Sequence, residues 1–203
     1  NAYVMPRVST YIGNLEQALK RLKVDSTLSI MKSNGGIVGS GVAVHQPVHP
    51  ALSGPVAGVM ATLRIGESTG VENCISFDMG GTSTDVALIR ERRPVTNLSG
   101  SLGDWPIQLP MLDIVTIGCG GGSIAAVSGY GVLSVGPASA GSVPGPVCYG
   151  KGGMAPTVTD ANIVLGRINT EIAGGILSLD AQAAAEVIQR DIASPLEIGR
   201  AHV

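Results

Sequence analysis

Asp78-Met-Gly-Gly-Thr-Ser-Thr-Asp85 is the stretch on which the reading of this chain turns. It lies between two short apolar runs, Cys74-Ile-Ser-Phe77 and Val86-Ala-Leu-Ile89, a pattern that predicts strand, glycine loop, strand. Adjacent glycines let the backbone turn tightly and aim N–H groups outward with no side chain in the way, which is how a loop cradles an anion such as phosphate. Thr82, Ser83 and Thr84 add hydroxyl donors, so Gly80, Gly81, Thr82, Ser83 and Thr84 form the candidate phosphate-binding set. Hydrogen bonds to a charged partner contribute roughly 1.5–3 kcal/mol each, so three or four can hold a phosphate without any lysine. Bare Asp78 and Asp85 would repel that phosphate. A hydrated magnesium ion between carboxylates and phosphate removes the conflict, because Mg2+ keeps several waters and takes one or two carboxylates. The alternative is a tight hairpin whose two aspartates merely cap turns. Against it, D-x-G-G-T-x-T-D arises by chance in a chain of this length with a probability on the order of 10⁻⁵.

The rest of the chain narrows the classes of function. Its 203 residues suit one domain or two small lobes, enough to bury a core. Charged residues make up 14% and the net charge is -2, which argues against a nucleic-acid partner because no basic surface can neutralise phosphates. Glycine (29) and proline (12) are abundant, but 44% of residues are hydrophobic, so the glycines are expected in ordered loops rather than a disordered chain. No apolar run reaches the roughly 18 residues that suggest a membrane span. Asn1-Ala-Tyr-Val-Met5 has no secretory layout, and the protein is expected to be cytoplasmic. Cys74, Cys119 and Cys148 are odd in number with no C-x-x-C spacing, so buried or loop thiols are expected. There is no G-x-x-x-x-G-K-[ST] and no G-x-G-x-x-G opening a helix, which removes the P-loop and dinucleotide routes.

Helices are expected from Pro6 to about Lys23, from a Ser53 cap to Gly70, from Val158 to Arg167, and from Ala181 to Ile192 after an Asp180 cap. Strands are expected at Thr27–Met31 and Asp113–Ile117, with a hairpin from 124–127 and 132–135 and a long ordered loop over 136–156. His45 and His49 sit four apart beside Pro47 and Pro50 with no Glu after His45, so they read as surface loop residues rather than a zinc pair. Ser53 and Ser123 lack a G-x-S-x-G elbow, which weakens a serine-hydrolase reading.

The glycine loop sits within one of several longer stretches that resemble a known family: NAYVMP, IMKSNGGIV, LSGPVAGV, FDMGGTSTDV, PMLDIVTIGCGGGSIA, VGPASAGSVPGPVCYGKGG and PTVTDANIVLGRI. DMGGTSTDVALI is similar to the second phosphate loop of the actin-like ATPases and sugar kinases, and the whole set resembles the hydantoinase A/oxoprolinase family over residues 1 to about 196. The resemblance implies an α/β fold, a ribonuclease H-like actin-type lobe with a mixed sheet and flanking helices. Residues 1–196 would hold mainly the second of two lobes around an ATP cleft, with the N-terminal DxGGT-type loop and the downstream G-G-x-G-P-type adenosine segment outside the sequence. It further implies ATP and Mg2+ as cofactors, a B-type hydantoinase subunit as partner, and a small cyclic amide such as 5-oxoproline or a hydantoin as substrate. A ketone carboxylase subunit and a non-catalytic actin-like nucleotide-binding module are the alternatives.

Under the resemblance Asp78 and Asp85 become the catalytic and metal-holding pair. Gly120, Gly121, Gly122 and Ser123, within Gly118-Cys-Gly-Gly-Gly-Ser123, are a second candidate anion or substrate loop, the alternative being a tight crossing of backbones. Asp113 and Asp160 each suit either a metal or the orientation of a helix terminus. Relatives commonly carry His where Val115 stands, which puts a second metal site in doubt. Glu197-Ile-Gly-Arg-Ala-His-Val203 reads as a translated sequencing-adapter sequence, so 197–203 are expected to be foreign and His202 carries no functional weight.

Overall fold

The computed structural model describes residues 1–98, 100–102, 105–175 and 177–198. The chain divides into two compact units, residues 1–78 with 85–115, and residues 79–84 with the described residues from 116 onward.

In the first unit the helices are α1 (Met5–Arg21), α2 (Ser40–His45) and α3 (Ser53–Thr69), and the first two strands are β1 (Ser29–Met31) and β2 (Ile37–Gly39), paired antiparallel. The strands β3 (Cys74–Met79), β4 (Thr84–Arg90), β5 (Arg93–Pro94), β6 (Thr96–Asn97), β7 (Gly100–Leu102), β8 (Trp105–Ile107), β9 (Met111–Leu112) and β10 (Ile114–Ile117) follow. β10, β4 and β3 lie side by side with β5 paired to β4, whereas β6 pairs with β9 and β7 with β8 as separate ribbons. The expected single mixed sheet is therefore divided into one four-stranded sheet and several two-stranded ones.

The core follows from two periodicities. Val56, Val59 and Leu63 recur on one side of α3 and meet Ala87 and Ile89, alternate residues of β4, together with Leu112. Leu88, between them, is exposed. α3 packs close to the strand that follows it: a Cβ at Gly66 would lie 2.9 Å from the Val71 carbonyl oxygen and 3.0 Å from Cys74 Sγ. Gly70 ends the helix in the left-handed conformation, as the sequence predicts. The expected Ser53 cap does not form. Leu52 occupies the N-cap at φ 58° with no side-chain cap, and Ser53 is already helical. Several shorter elements escape the sequence reading: the run after Asn34-Gly-Gly36 returns as β2, His45 ends α2 instead of lying in a loop, and the short strands β5 to β9 were not expected.

The second unit holds the hairpin β11 (Ser123–Val127) and β12 (Leu133–Ser139), in the register Ala125↔Val135 and Val127↔Leu133, close to the expected hairpin. α4 (Val158–Val164), the short pair β13 (Glu171–Ile172) and β14 (Leu177–Ser178), and α5 (Ala181–Ile188) complete it. α4 and α5 both end earlier than expected, α5 passing into a π-helical turn at Gln189–Ala193. The predicted Asp180 cap is present, its carboxylate accepting the Ala183 amide at 2.9 Å. Residues 136–139 extend β12 and Val147–Tyr149 form a 3-10 turn, so the expected long loop is shorter. Cys148, Ile163, Leu179 and Ala184 form the second core. The proposed tail falls partly outside the described residues, and His202 wholly so. No helix among the described residues is long and apolar enough to cross a membrane.

Candidate functional site

The glycine loop joins β3 to β4. Its turn is closed by the Gly80 amide donating to the Ser83 carbonyl at 2.8 Å. The next three amides, of Gly81, Thr82 and Ser83, donate to no acceptor among the described residues, and the hydroxyls of Thr82 and Ser83 are likewise without partners there. Gly80, Gly81 and Thr82 are exposed and Ser83 is half-buried. Five donors thus line one short, accessible turn. Thr84 differs: it is buried, and its hydroxyl donates to the Cys119 carbonyl.

The glycines here have different reasons. Neither Gly80 nor Gly81 has a left-handed φ. Among the described residues a Cβ at Gly81 would meet no heavy atom within 4 Å beyond its chain neighbours, and one at Gly80 would make only an ordinary 3.5 Å contact with the Ser83 carbonyl oxygen. The protein's own backbone and packing therefore do not demand glycine at 81, whereas close approach of a bulky anion to bare amides does. Gly120 is the opposite case, since its Cβ would lie 2.6 Å from the Thr82 carbonyl carbon and 2.7 Å from both the Gly80 oxygen and the Ser83 nitrogen.

That second glycine segment lies against the first. The Gly121 amide donates to the Gly80 carbonyl at 2.9 Å and the Gly122 amide to the Gly81 carbonyl at 2.6 Å. The Gly120 amide donates to Ser123 Oγ at 2.8 Å, and Ser123 is fully buried. These four residues and the glycine loop are brought together, and the geometry is the tight backbone crossing named above as the alternative for residues 118–123.

The two aspartates are described within the first unit. Asp78 and Asp85 both line a cavity of about 180 Å³ with Pro55, Gly58, Val59, Thr62, Ser76, Phe77 and Ile114. No lysine or arginine is among these residues. The Asp78 carboxylate makes no hydrogen bond or ion pair among the described residues, and a Cβ on Gly58 would lie 3.7 Å from its Oδ2. Ser76, buried in β3, and Thr62 on α3 were not singled out in the sequence; a hydroxyl at an inward strand position was the available signal.

Asp113 and Asp160 are not part of this lining. Asp113 is exposed between β9 and β10, and Val115 is exposed two residues on. Asp160 is fully buried and takes the second of its two expected roles, orienting a helix start. Its Oδ2 accepts from Thr157 Oγ1 at 2.8 Å, the Thr157 amide at 2.9 Å and the Val147 amide at 3.2 Å, and its Oδ1 accepts from the Cys148 amide at 2.8 Å. Cys148 is buried beside it, and burial first, then the hydrogen bond and charge of Asp160, push its thiol from 9.0 up to about 12. It packs in the second core with Ile163, Leu179 and Ala184. Among the described residues no group of three or more His, Cys, Asp or Glu side chains could hold a metal ion, so any cation here would rest on two carboxylates and water.

The hydantoinase/oxoprolinase family pattern matches residues 1–203. The chain belongs to this family. Caprolactamase subunit alpha of Pseudomonas jessenii is 40% identical over 199 residues, covering 98% of this chain and 29% of that protein. The solved structure of the ATP-dependent caprolactamase of that organism matches with a TM-score of 0.73 at 37% identity, over 98% of this chain and 29% of the solved one. The acetophenone carboxylase gamma subunit of Aromatoleum aromaticum is 45% identical over 208 residues, covering 98% of this chain and 27% of its own. A nucleotide-free structure of acetone carboxylase, an enzyme of ATP-dependent acetone carboxylation, matches with a TM-score of 0.77 at 29% identity, over 92% of this chain and 26% of that one. The chain thus spans under a third of the length of these family members, and its mixed α/β architecture is theirs.

Proposed function

We propose that this chain is the phosphate-gripping part of an ATP-dependent enzyme that opens a cyclic amide of the lactam or hydantoin type. The observation that carries the reading is the run of donors at Gly81, Thr82 and Ser83 that have no acceptor among the described residues, beside a glycine that the described packing does not require. In this reading the three amides and two hydroxyls bind phosphate oxygens, and Thr84 holds the loop in place through Cys119. Asp78 and Asp85 would hold a hydrated Mg2+, for which two carboxylates in a cavity without basic residues are a suitable donor set. Gly120, Gly121, Gly122 and Ser123 serve the site by supporting the loop. Residues 1–196 form mainly the second lobe of an actin-like ATPase, and a B-type subunit completes the enzyme.

A lactam carbonyl carbon is a poor electrophile. When bound, ATP would supply the phosphoryl group that, placed on the carbonyl oxygen, makes that carbon electrophilic enough for water to add and the ring C–N bond to break, with phosphate released afterwards. The residues named contribute position and charge stabilisation, the two effects on which phosphoryl transfer depends. The likeness to an ATP-dependent caprolactamase supports this reading. The likeness to the acetophenone carboxylase gamma subunit favours a second one, a ketone carboxylase subunit with the same phosphate loop. Full-length protein with its partner subunit separates them. ATP consumption stimulated by 5-oxoproline, a hydantoin or a lactam supports the amidohydrolase, and stimulation only by ketone with bicarbonate supports the carboxylase. Nucleotide binding without turnover under either condition would reject both in favour of a binding module.

A further inference from the structure

We infer that Thr159 is a positioning residue that aims the phosphate-binding amides, acting through Gly121 and its neighbour Gly122; the inference rests on the phosphate-loop reading above. Thr159, the second residue of α4, gives the Gly121 carbonyl two hydrogen bonds, one from its amide and one from Oγ1, each 2.8 Å. The amide is one of the first-turn donors that a helix cannot satisfy internally, so Gly121 answers a need of the helix while being fixed by it. Gly121 in turn donates to the Gly80 carbonyl and Gly122 to the Gly81 carbonyl.

Those last two bonds set direction. In a trans planar peptide the carbonyl and the following N–H point opposite ways. Holding the Gly80 carbonyl toward Gly121 therefore turns the Gly81 N–H away from it, and holding the Gly81 carbonyl toward Gly122 does the same for the Thr82 N–H. Two of the three unengaged amides thus owe their aim to carbonyls held by the second glycine segment. The fit leaves no slack: a Cβ at Gly121 would lie 2.8 Å from Thr159 Oγ1, and one at Gly122 would lie 2.9 Å from the Gly81 oxygen. α4 is itself anchored at its start by the Thr157 and Asp160 capping box.

The test uses full-length protein and two readouts, ATP affinity by calorimetry and residue-resolved amide hydrogen exchange. Thr159→Ala keeps the backbone bond and loses the hydroxyl. It should weaken ATP binding about 3- to 10-fold, the equivalent of one hydrogen bond, and speed exchange at the Gly121 and Gly122 amides, with Thr159→Ser restoring both. Wild-type affinity and wild-type exchange in Thr159→Ala would overturn the inference, as would failure of Thr159→Ser to restore them. If Thr159→Ala does not fold, wild-type protein still decides. A non-hydrolysable ATP analogue with Mg2+ should slow exchange at Gly121 and Gly122, and no change there overturns the proposal. Gly81→Ala separates the two levels. Weakened ATP binding in Gly81→Ala with none in Thr159→Ala rejects the positioning role alone, whereas unchanged binding in Gly81→Ala rejects the phosphate loop and the positioning role with it.

Discussion

A methyl group at position 81 meets open space, and one at position 120 meets three backbone atoms within 2.7 Å. The same amino acid is thus present for two reasons, and the two substitutions should part company. Gly120→Ala should destabilise its unit by on the order of 3 kcal/mol, because a backbone crossing cannot shift as a side chain can. Urea denaturation measures this, and a loss below about 0.5 kcal/mol would show that the crossing is looser than described. Cys148 supplies a second residue-level prediction. Its thiol titrates near 12 in the folded protein against 9.0 as the reference value, so the folded state keeps a proton that the unfolded chain releases. The stabilisation is complete below pH 9 and is lost as pH rises toward 12. Denaturation midpoints should therefore fall more steeply over that range in wild type than in Cys148→Ala, and parallel slopes would contradict the assignment.

At the scale of elements, residues with a local task were legible and residues with a distant one were not. Asp180 announced its helix because an N-cap is a contact three residues away, and β11 with β12 announced itself by alternation across a short turn. Ser53 misled, because the entry into α3 is set by Leu52 in a left-handed conformation, which a serine in the next position does not reveal. The glycine loop was legible as an anion cradle by composition, but the sequence could not say that residues 120–122 reach across to it, since that contact spans some forty residues. Asp160 was left between two roles for the same reason: its partners at 147 and 148 lie on another segment. Replacing it by Ala strands the amides of Val147, Cys148 and Thr157 in the interior, and should cost on the order of 3–5 kcal/mol. Urea denaturation of Asp160→Ala checks the figure, and near-wild-type stability would show that the carboxylate does not organise the start of α4.

For the whole molecule, the chain spans under a third of the length of the family members it matches. The proposed ATP cleft needs a second lobe, so the 203-residue chain alone should show negligible Mg2+-dependent ATP hydrolysis while the full-length protein with its partner turns over. Comparable turnover by the isolated chain would refute the two-lobe assignment. Whether residues 81–83 hold the phosphates of ATP is decided by calorimetric ATP binding to full-length Gly81→Ala alongside its thermal stability. Stability within about 1 kcal/mol of wild type is expected, because the added methyl meets no heavy atom within 4 Å among the described residues beyond its chain neighbours, together with loss of measurable ATP binding; a stable variant that binds ATP as wild type does would overturn the assignment.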